Sequence, residues 1–489
     1  MSVGLVFHFR NLPGARTRAI ALACVAALGG CTTDQQGGSS IALPEAAPRI
    51  LGIERAADRE HNRLVATFGG QYRSPALERD LDDIVRRVAA ASEQSDQTYK
   101  VTILNSPVVN AFALPTGHVY VTRGLLALAN DNSEVAAVLA HEIAHVTAKH
   151  ALARAELEQR SELVSRVASE VLNDPGAGRI ARSEGRVTLA SFSRTQELEA
   201  DRMGVATIGR AGFDAYGASR FLVSLGRNAG TPSGQRRRGM DFLSSHPSTP
   251  ERVAAAIAAA RQIGPPGSGD SERNRYLSAL EGLVYGDDPA EGMIRGRRFA
   301  HPTLAVGFTA PPGFTLENTA EAVLGVNHAN GQALRFDNVQ VAETESLESF
   351  LASGWIDGLL NDSVQSTTVD GMPAATAVAR GKEWSFLLGA ARSGSRVFRL
   401  LFATRALTPE AQAAFRTAFH SLHRLSPEEV AAIRPMRIEV LTASEGDTTE
   451  TMAARMAPID NAYERFLVLN SLSRGQALKP GRRYKVVAE

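Results

Sequence analysis

The sequence predicts a multidomain chain: a mainly α-helical domain with a small sheet, then an α/β domain, then a short C-terminal unit. Three observations lead there. Apolar residues recur at helical spacing from Gly52 to about Arg261, interrupted between Tyr99 and Thr122 by the strand-like YKVTILNSPVVNAFALPTGHVYVT. From Arg298 to about Leu425, β-branched runs alternate with turns such as APPGF and end in the helical EAQAAFRTAFHSL. Residues 436–489 close on a Lys-Pro-Gly turn and the strand YKVV. A chain of 489 residues has room for roughly three domains.

Apolar residues make up 44% of the chain and charged residues 21%, as expected of a folded protein. Lys plus Arg number 53 against 52 Asp plus Glu, so there is no basic excess of the kind nucleic-acid binders carry.

Taken in order, residues 1–30 read as a lipoprotein signal peptide. Arg10, Arg16 and Arg18 precede the apolar run AIALACVAAL, which is too short to span a bilayer well. LGGC, ending at Cys31, resembles the bacterial lipobox, in which the cysteine becomes the lipidated first residue; an ordinary signal cut near Gly30 is the alternative. Cys24 and Cys31 are the only cysteines, so no disulfide framework is expected. Thr32 follows Cys31, where an aspartate would signal inner-membrane retention, so the expectation is the periplasm with an anchor in the outer membrane. Residues 31–50 (TTDQQGGSSIALPEAAP and its flanks) read as a tether.

Residues 51–262 hold the chemistry. Val135, Val138, Leu139 and Ile143 mark a helix over Ser133 to Leu152, with Ser133 as expected N-cap. Within it, HEIAH places His141 and His145 one turn apart on one face, with Glu142 beside them as a candidate base. Two imidazoles so placed can share a zinc ion, and a hydrolytic zinc needs a third protein ligand and an open position. His150 lies nine residues from His141, which on a continuous helix turns it about 180° away. It therefore reads as a surface or packing residue. QELEADRMG offers a better third ligand: Glu197 and Asp201 share a helix face in a run from about Val187 that includes Leu189, Phe192 and Met203, while Glu199 points elsewhere. Glu197 would complete two histidines and a carboxylate, and Asp201 could orient a ligand histidine from behind.

HEIAH, followed about fifty residues later by ELEAD, resembles the M48 family of zinc metallopeptidases. NAFALPTGHVYVTRGLL and SHPSTPERV look like the same family, and the resemblance covers about residues 55–260. It implies a zincin-type fold with zinc on His141, His145 and Glu197, Glu142 as general base and acid, and endopeptidase activity. It points to the soluble periplasmic branch, linked to quality control of misassembled envelope proteins. The strand around Asn110, Ala111 and Phe112 could pair with an extended substrate. For His246 the resemblance implies a reversible extra zinc ligand that closes the site. In a second reading His246, or Arg252, stabilises the oxyanion; in a third, His246 caps a loop before Pro247.

The remaining segments carry no catalytic constellation. Residues 263–297 begin with IGPPGSGDSERN and read as linker and helix. Residues 298–425 faintly resemble the α/β sandwich of PsbP and Mog1 proteins, with Trp355 and Trp384 as expected core. Met436 to Val487 resembles a LysM module, which folds as βααβ and binds peptidoglycan; Ile438 and Thr449 depart from its usual residues. Taken together, the expectation is a lipid-anchored zinc endopeptidase of the bacterial envelope. The rival is a chaperone-like or scaffold lipoprotein tethering partners to peptidoglycan, which would have no need of Glu142.

Overall fold

The computed structural model describes residues 56–153, 192–231, 241–319, 321–459 and 461–489. The signal, the tether, Cys31 and Leu189 lie outside these. Two helices, α1 (Ala56–Thr67) and α2 (Pro75–Ala91), precede a three-stranded sheet of β1 (Lys100–Leu104), β2 (Ala111–Ala113) and β3 (His118–Thr122). β3 is central, with β1 parallel on one side and β2 antiparallel on the other. β2 is therefore an edge strand.

After α3 (Arg123–Leu128) comes the central helix α4 (Asn132–Thr147). Its cap is Asp131, not Ser133. The Asp131 carboxylate accepts the Glu134 amide at 3.0 Å and the Ser133 hydroxyl at 2.6 Å. An anionic acceptor at a helix N-terminus outcompetes a hydroxyl because it also meets the positive end of the macrodipole. Every residue of α4 from Asn132 to His145 is buried, as befits a helix whose sequence has no charged face. The helix stops at Thr147, five residues before the expected end. Ala148 donates to the Ala144 carbonyl and Lys149 turns left-handed at φ 57°, which breaks the helix before His150.

Helix α5 (Arg194–Arg210) opens at a capping box between Ser193 and Gln196, so Glu197 sits in its first turns. Gly204 lets α5 lie close on α4: a Cβ there would stand 3.3 Å from the backbone nitrogen of His141. Helices α6 (Gly217–Ala229), α7 (Phe242–Ser245) and α8 (Pro250–Ile263) complete the layer around α4 and α5.

Residues 263–297 are not a linker. Helix α9 (Arg273–Leu280) puts Tyr276, Leu277 and Leu280 into one core with Leu81, Ile84 and Leu139, and the Tyr276 hydroxyl donates to the Leu126 carbonyl at 2.5 Å. The Gly/Pro-rich run is a turn inside the fold, pinned where Asp214 donates to the Asp270 carbonyl. β4 (Val284–Tyr285) follows.

The next unit begins at Met293, ahead of residue 298. β5 (Met293–Arg295), β6 (Arg298–His301) and β7 (Val306–Thr309) join β15 (His423–Arg424) in one sheet. β8 (Thr315–Asn318), β9 (Val323–Asn327), β10 (Gln332–Gln340), β11 (Leu359–Val369), β12 (Met372–Arg380), β13 (Ser385–Ser393) and β14 (Arg396–Thr404) form an antiparallel sheet in the order β11-β12-β13-β14-β10-β9-β8. Helix α10 (Leu347–Ala352) packs with one apolar cluster, and α11 (Pro409–His420), whose Phe415 and Phe419 share a cluster with Phe402, belongs to the other. Trp355 and Trp384 are half-buried, each beneath an arginine, Arg399 and Arg405 respectively, at 4.9 Å.

After α12 (Pro427–Ala432), the chain ends as strand–helix–helix–strand: β16 (Met436–Thr442), α13 (Thr449–Ala453), α14 (Ala462–Leu469) and β17 (Arg483–Ala488). β16 also pairs with β4, so one small sheet spans this unit and the helical domain. Ile438, Phe466, Tyr484 and Val486 share the core that contains Leu77 and Leu139. Among the described residues no helix is long and apolar enough to cross a membrane.

Candidate metal centre

Four buried side chains converge between α4, α5 and the turn after α7. His141 Nε2 lies 3.1 Å from His145 Nε2 and 3.2 Å from His246 Nδ1. Glu197 Oε1 lies 2.8 Å from His246 Nδ1 and 3.5 Å from His145 Nε2, and its Oε2 is 3.6 Å from His141 Nε2. Each residue offers one ligand atom, all within 4.8 Å of one another, and none of the four is more than 5% exposed.

The chemistry of these donors fits a cation. Burial pushes the His141 and His145 imidazoles down, and for His145 the neighbouring imidazoles push it further. Neutral imidazole is the form that ligates metal. Burial pushes Glu197 up, and it pushes Glu142 well above the carboxylate range with help from the Glu197 charge. Glu142 Oε1 makes no hydrogen bond among the described residues. A buried carboxylate without a hydrogen bond, beside inward-facing lone pairs, fits a site where a divalent ion would supply charge.

Behind the cluster stands Arg252. Thr249 caps α8 and Pro250 fills its first turn, which brings Arg252 inward at 3% exposure. Its Nε and Nη2 donate to Asp201 at 2.7 Å each, its Nη1 reaches Glu197 Oε2 at 2.5 Å, and the Pro247 carbonyl accepts at 3.0 Å. Its donors are thus turned onto the Asp201 and Glu197 carboxylates and the Pro247 carbonyl. Asp201 Oδ1 stands 3.0 Å from His141 Nδ1, on the side of the ring away from the cluster. Burial alone would raise the Asp201 pKa, but the hydrogen bonds from Arg252 and His141 outweigh it and hold the carboxyl at about 2.

His150 is buried at 5% exposure, and its Nδ1 lies 3.0 Å from His145 Nδ1. The expected half-turn rotation assumed a continuous helix, and the break at Lys149 removes that premise. Glu199, expected to point elsewhere, comes within 3.5 Å of His150 Nε2. Sequence reasoning also missed Phe242, whose ring stacks on His246 at 4.5 Å; Phe192 lies 4.0 Å from the His145 ring. Phe242 follows a Gly- and Arg-rich stretch that gives no periodic signal, whereas Phe192 reads in the sequence only as part of the apolar side of the Glu197 helix. His246 is the residue that ends α7, with its Nε2 3.6 Å from Glu142.

Asn110 precedes and Ala111 begins edge strand β2, which packs beside α4. The Phe112 side chain is turned the other way, stacked on Tyr120 at 4.8 Å and near Phe68, so only its backbone lies at the strand edge.

Residues 75–260 match the profile of peptidase family M48. They form a family M48 peptidase domain. The chain is 27% identical over 329 residues to the beta-barrel assembly-enhancing protease of Escherichia coli strain K12, covering 58% of this chain and 66% of the relative. A Vibrio cholerae relative is 29% identical over 268 residues, 51% of this chain and 53% of its own. The chain thus spans between about half and two thirds of the length of these curated relatives. Among solved structures, the solution structure of cyanobacterial PsbP from Synechocystis sp. PCC 6803 covers 28% of this chain and 98% of its own, at 14% identity and a TM-score of 0.22. A likeness that low decides nothing about the segment after the M48 domain.

Proposed function

We propose that this protein is a zinc-dependent endopeptidase of the bacterial cell envelope that hydrolyses peptide bonds in misassembled envelope proteins. The observation that carries the reading is the convergence of His141, His145 and Glu197 on one point, with Glu142 buried beside it. The E. coli relative's name, beta-barrel assembly-enhancing protease, supports an envelope substrate.

In this reading His141 Nε2, His145 Nε2 and a Glu197 oxygen hold zinc, whose Lewis acidity activates water and polarises a carbonyl. Glu142 accepts the proton of the attacking water at its carboxylate and returns it to the leaving amine. Burial and the neighbouring Glu197 charge raise the proton affinity of the Glu142 carboxylate, which favours its taking that proton. Asp201 holds His141 by its Nδ1, and Arg252 fixes the Asp201 and Glu197 carboxylates of α5. An extended substrate segment adds to the β2 edge through backbone hydrogen bonds, which carry little sequence preference. Lipidation of Cys31 anchors the chain to the outer membrane, and residues 436–489 contact peptidoglycan.

The deciding experiment is zinc content and cleavage of an unfolded polypeptide by the purified mature chain, beside Glu142→Gln. One zinc per chain and cleavage lost in the variant are expected. Absence of cleavage with zinc bound would favour the scaffold reading, and zinc-independent cleavage would refute the zinc mechanism.

A further inference from the structure

We propose that His150 is a positioning residue for the metal site: it accepts a hydrogen bond from Nδ1 of His145, with the Glu199 carboxylate behind it, and so fixes the orientation and tautomer that present His145 Nε2 to the cation. The inference rests on the metal-centre reading above.

The two Nδ1 atoms are 3.0 Å apart, and the rings meet edge to face at 74°. A hydrogen bond between two imidazole nitrogens needs one N–H and one lone pair. A ligating His145 must keep its lone pair on Nε2, which places its proton on Nδ1. His150 Nδ1 is then the acceptor, so the His150 proton sits on Nε2. That atom faces Glu199 at 3.5 Å. Every proton has a place, with the anionic end outermost: Glu199 is about half exposed, whereas His150 is buried.

His141 shows the same arrangement in shorter form, with Asp201 directly on its Nδ1 at 3.0 Å. Both histidines of HEIAH thus have an acceptor behind the ring, one a carboxylate and the other an imidazole leaning on a carboxylate. Such partners raise ligand basicity, and losing one weakens metal binding about 10–100-fold. The backbone is shaped for this role. Lys149 adopts the left-handed region, unusual for a residue with a Cβ, and that turn brings His150 back onto the ring it would otherwise miss. The Phe192 ring flanking His145 offers no acceptor of its own that could substitute.

The test measures zinc affinity of the full mature chain by competition with a chromogenic chelator, together with melting of the zinc-free protein. His150→Leu removes the acceptor while keeping an apolar volume, and should weaken zinc about 10–100-fold. His150→Asn places a carbonyl oxygen near the position of Nδ1 and should recover most of the affinity. Glu199→Leu, on the exposed end, should weaken zinc in the same direction by a smaller factor, with zinc-free melting unchanged. The inference is overturned if His150→Leu binds zinc as tightly as wild type, or if the leucine and asparagine variants lose equally. Should His150→Leu fail to fold, an undiminished affinity in Glu199→Leu overturns it. A wild-type chain that binds no zinc would instead refute the metal centre itself.

Discussion

Lys485, on the last strand, donates to the carbonyl of Ala129 at 2.6 Å, and neither residue is exposed. The same ammonium also reaches the carbonyls of Ala127 and Leu128, at 2.8 and 3.2 Å. Three donors meet three acceptors at the C-terminal end of α3, just before the cap of α4, the helix that carries His141 and His145. Burial pushes the Lys485 pKa down, and the Glu134 carboxylate opposes that.

This bond set makes the C-terminal unit part of the peptidase domain's stability. Lys485→Met leaves buried carbonyls without donors and should lower unfolding free energy by about 3 kcal/mol. Urea unfolding followed by tryptophan-independent circular dichroism measures it. A change below about 0.5 kcal/mol would mean the unit is merely adjacent.

Glu142→Gln should retain zinc and fold, because Glu142 is no part of the converging set. Its cleavage rate should fall by about 10²-fold or more, since the proton carrier is gone. Near-normal turnover at full zinc occupancy would rule out the proposed role.

Glu197→Ala should abolish tight zinc binding and leave the Arg252 guanidinium one carboxylate short. Equilibrium dialysis with metal analysis reads the first effect. Zinc retained at wild-type affinity would show that the third ligand is another residue.

His246→Ala decides whether the site is gated. His246 Nδ1 lies in the ligand cluster, which favours a fourth ligand that fills the open position. The variant should then cleave faster than wild type at equal zinc. An oxyanion donor would give the opposite sign, a fall in kcat of about 10²–10³-fold.

Acid should act through Asp201. Its folded pKa of about 2 lies below the ordinary aspartate value of about 3.9, so its contribution is complete above about pH 4 and is lost as pH falls toward 2. The shift corresponds to about 2–3 kcal/mol. Zinc-free Asp201→Asn should be less stable at neutral pH, yet lose less stability than wild type between about pH 4 and 2. Parallel acid-unfolding curves for the two proteins would contradict the assignment.

The sequence by itself determined what local spacing encodes. HEIAH put His141, Glu142 and His145 on one helix, and ELEAD put Glu197 and Asp201 on one face of another, because side chains four apart on a helix share a face. Their residue types were enough to name the family resemblance that residues 75–260 bear out. Tertiary structure decided everything that depends on where one element meets another. Ser133 lost the cap to Asp131, a choice made by competing acceptors at one helix end. His150 became a neighbour of His145 only because the helix breaks at Lys149, a backbone event with no glycine to announce it. The run IGPPGSG, expected as a linker, is a turn inside the fold, because composition cannot tell a turn within a core from a boundary between cores. The last strand belongs to the first domain's core for the same reason: burial is a property of contacts between segments hundreds of residues apart, and no local pattern records them.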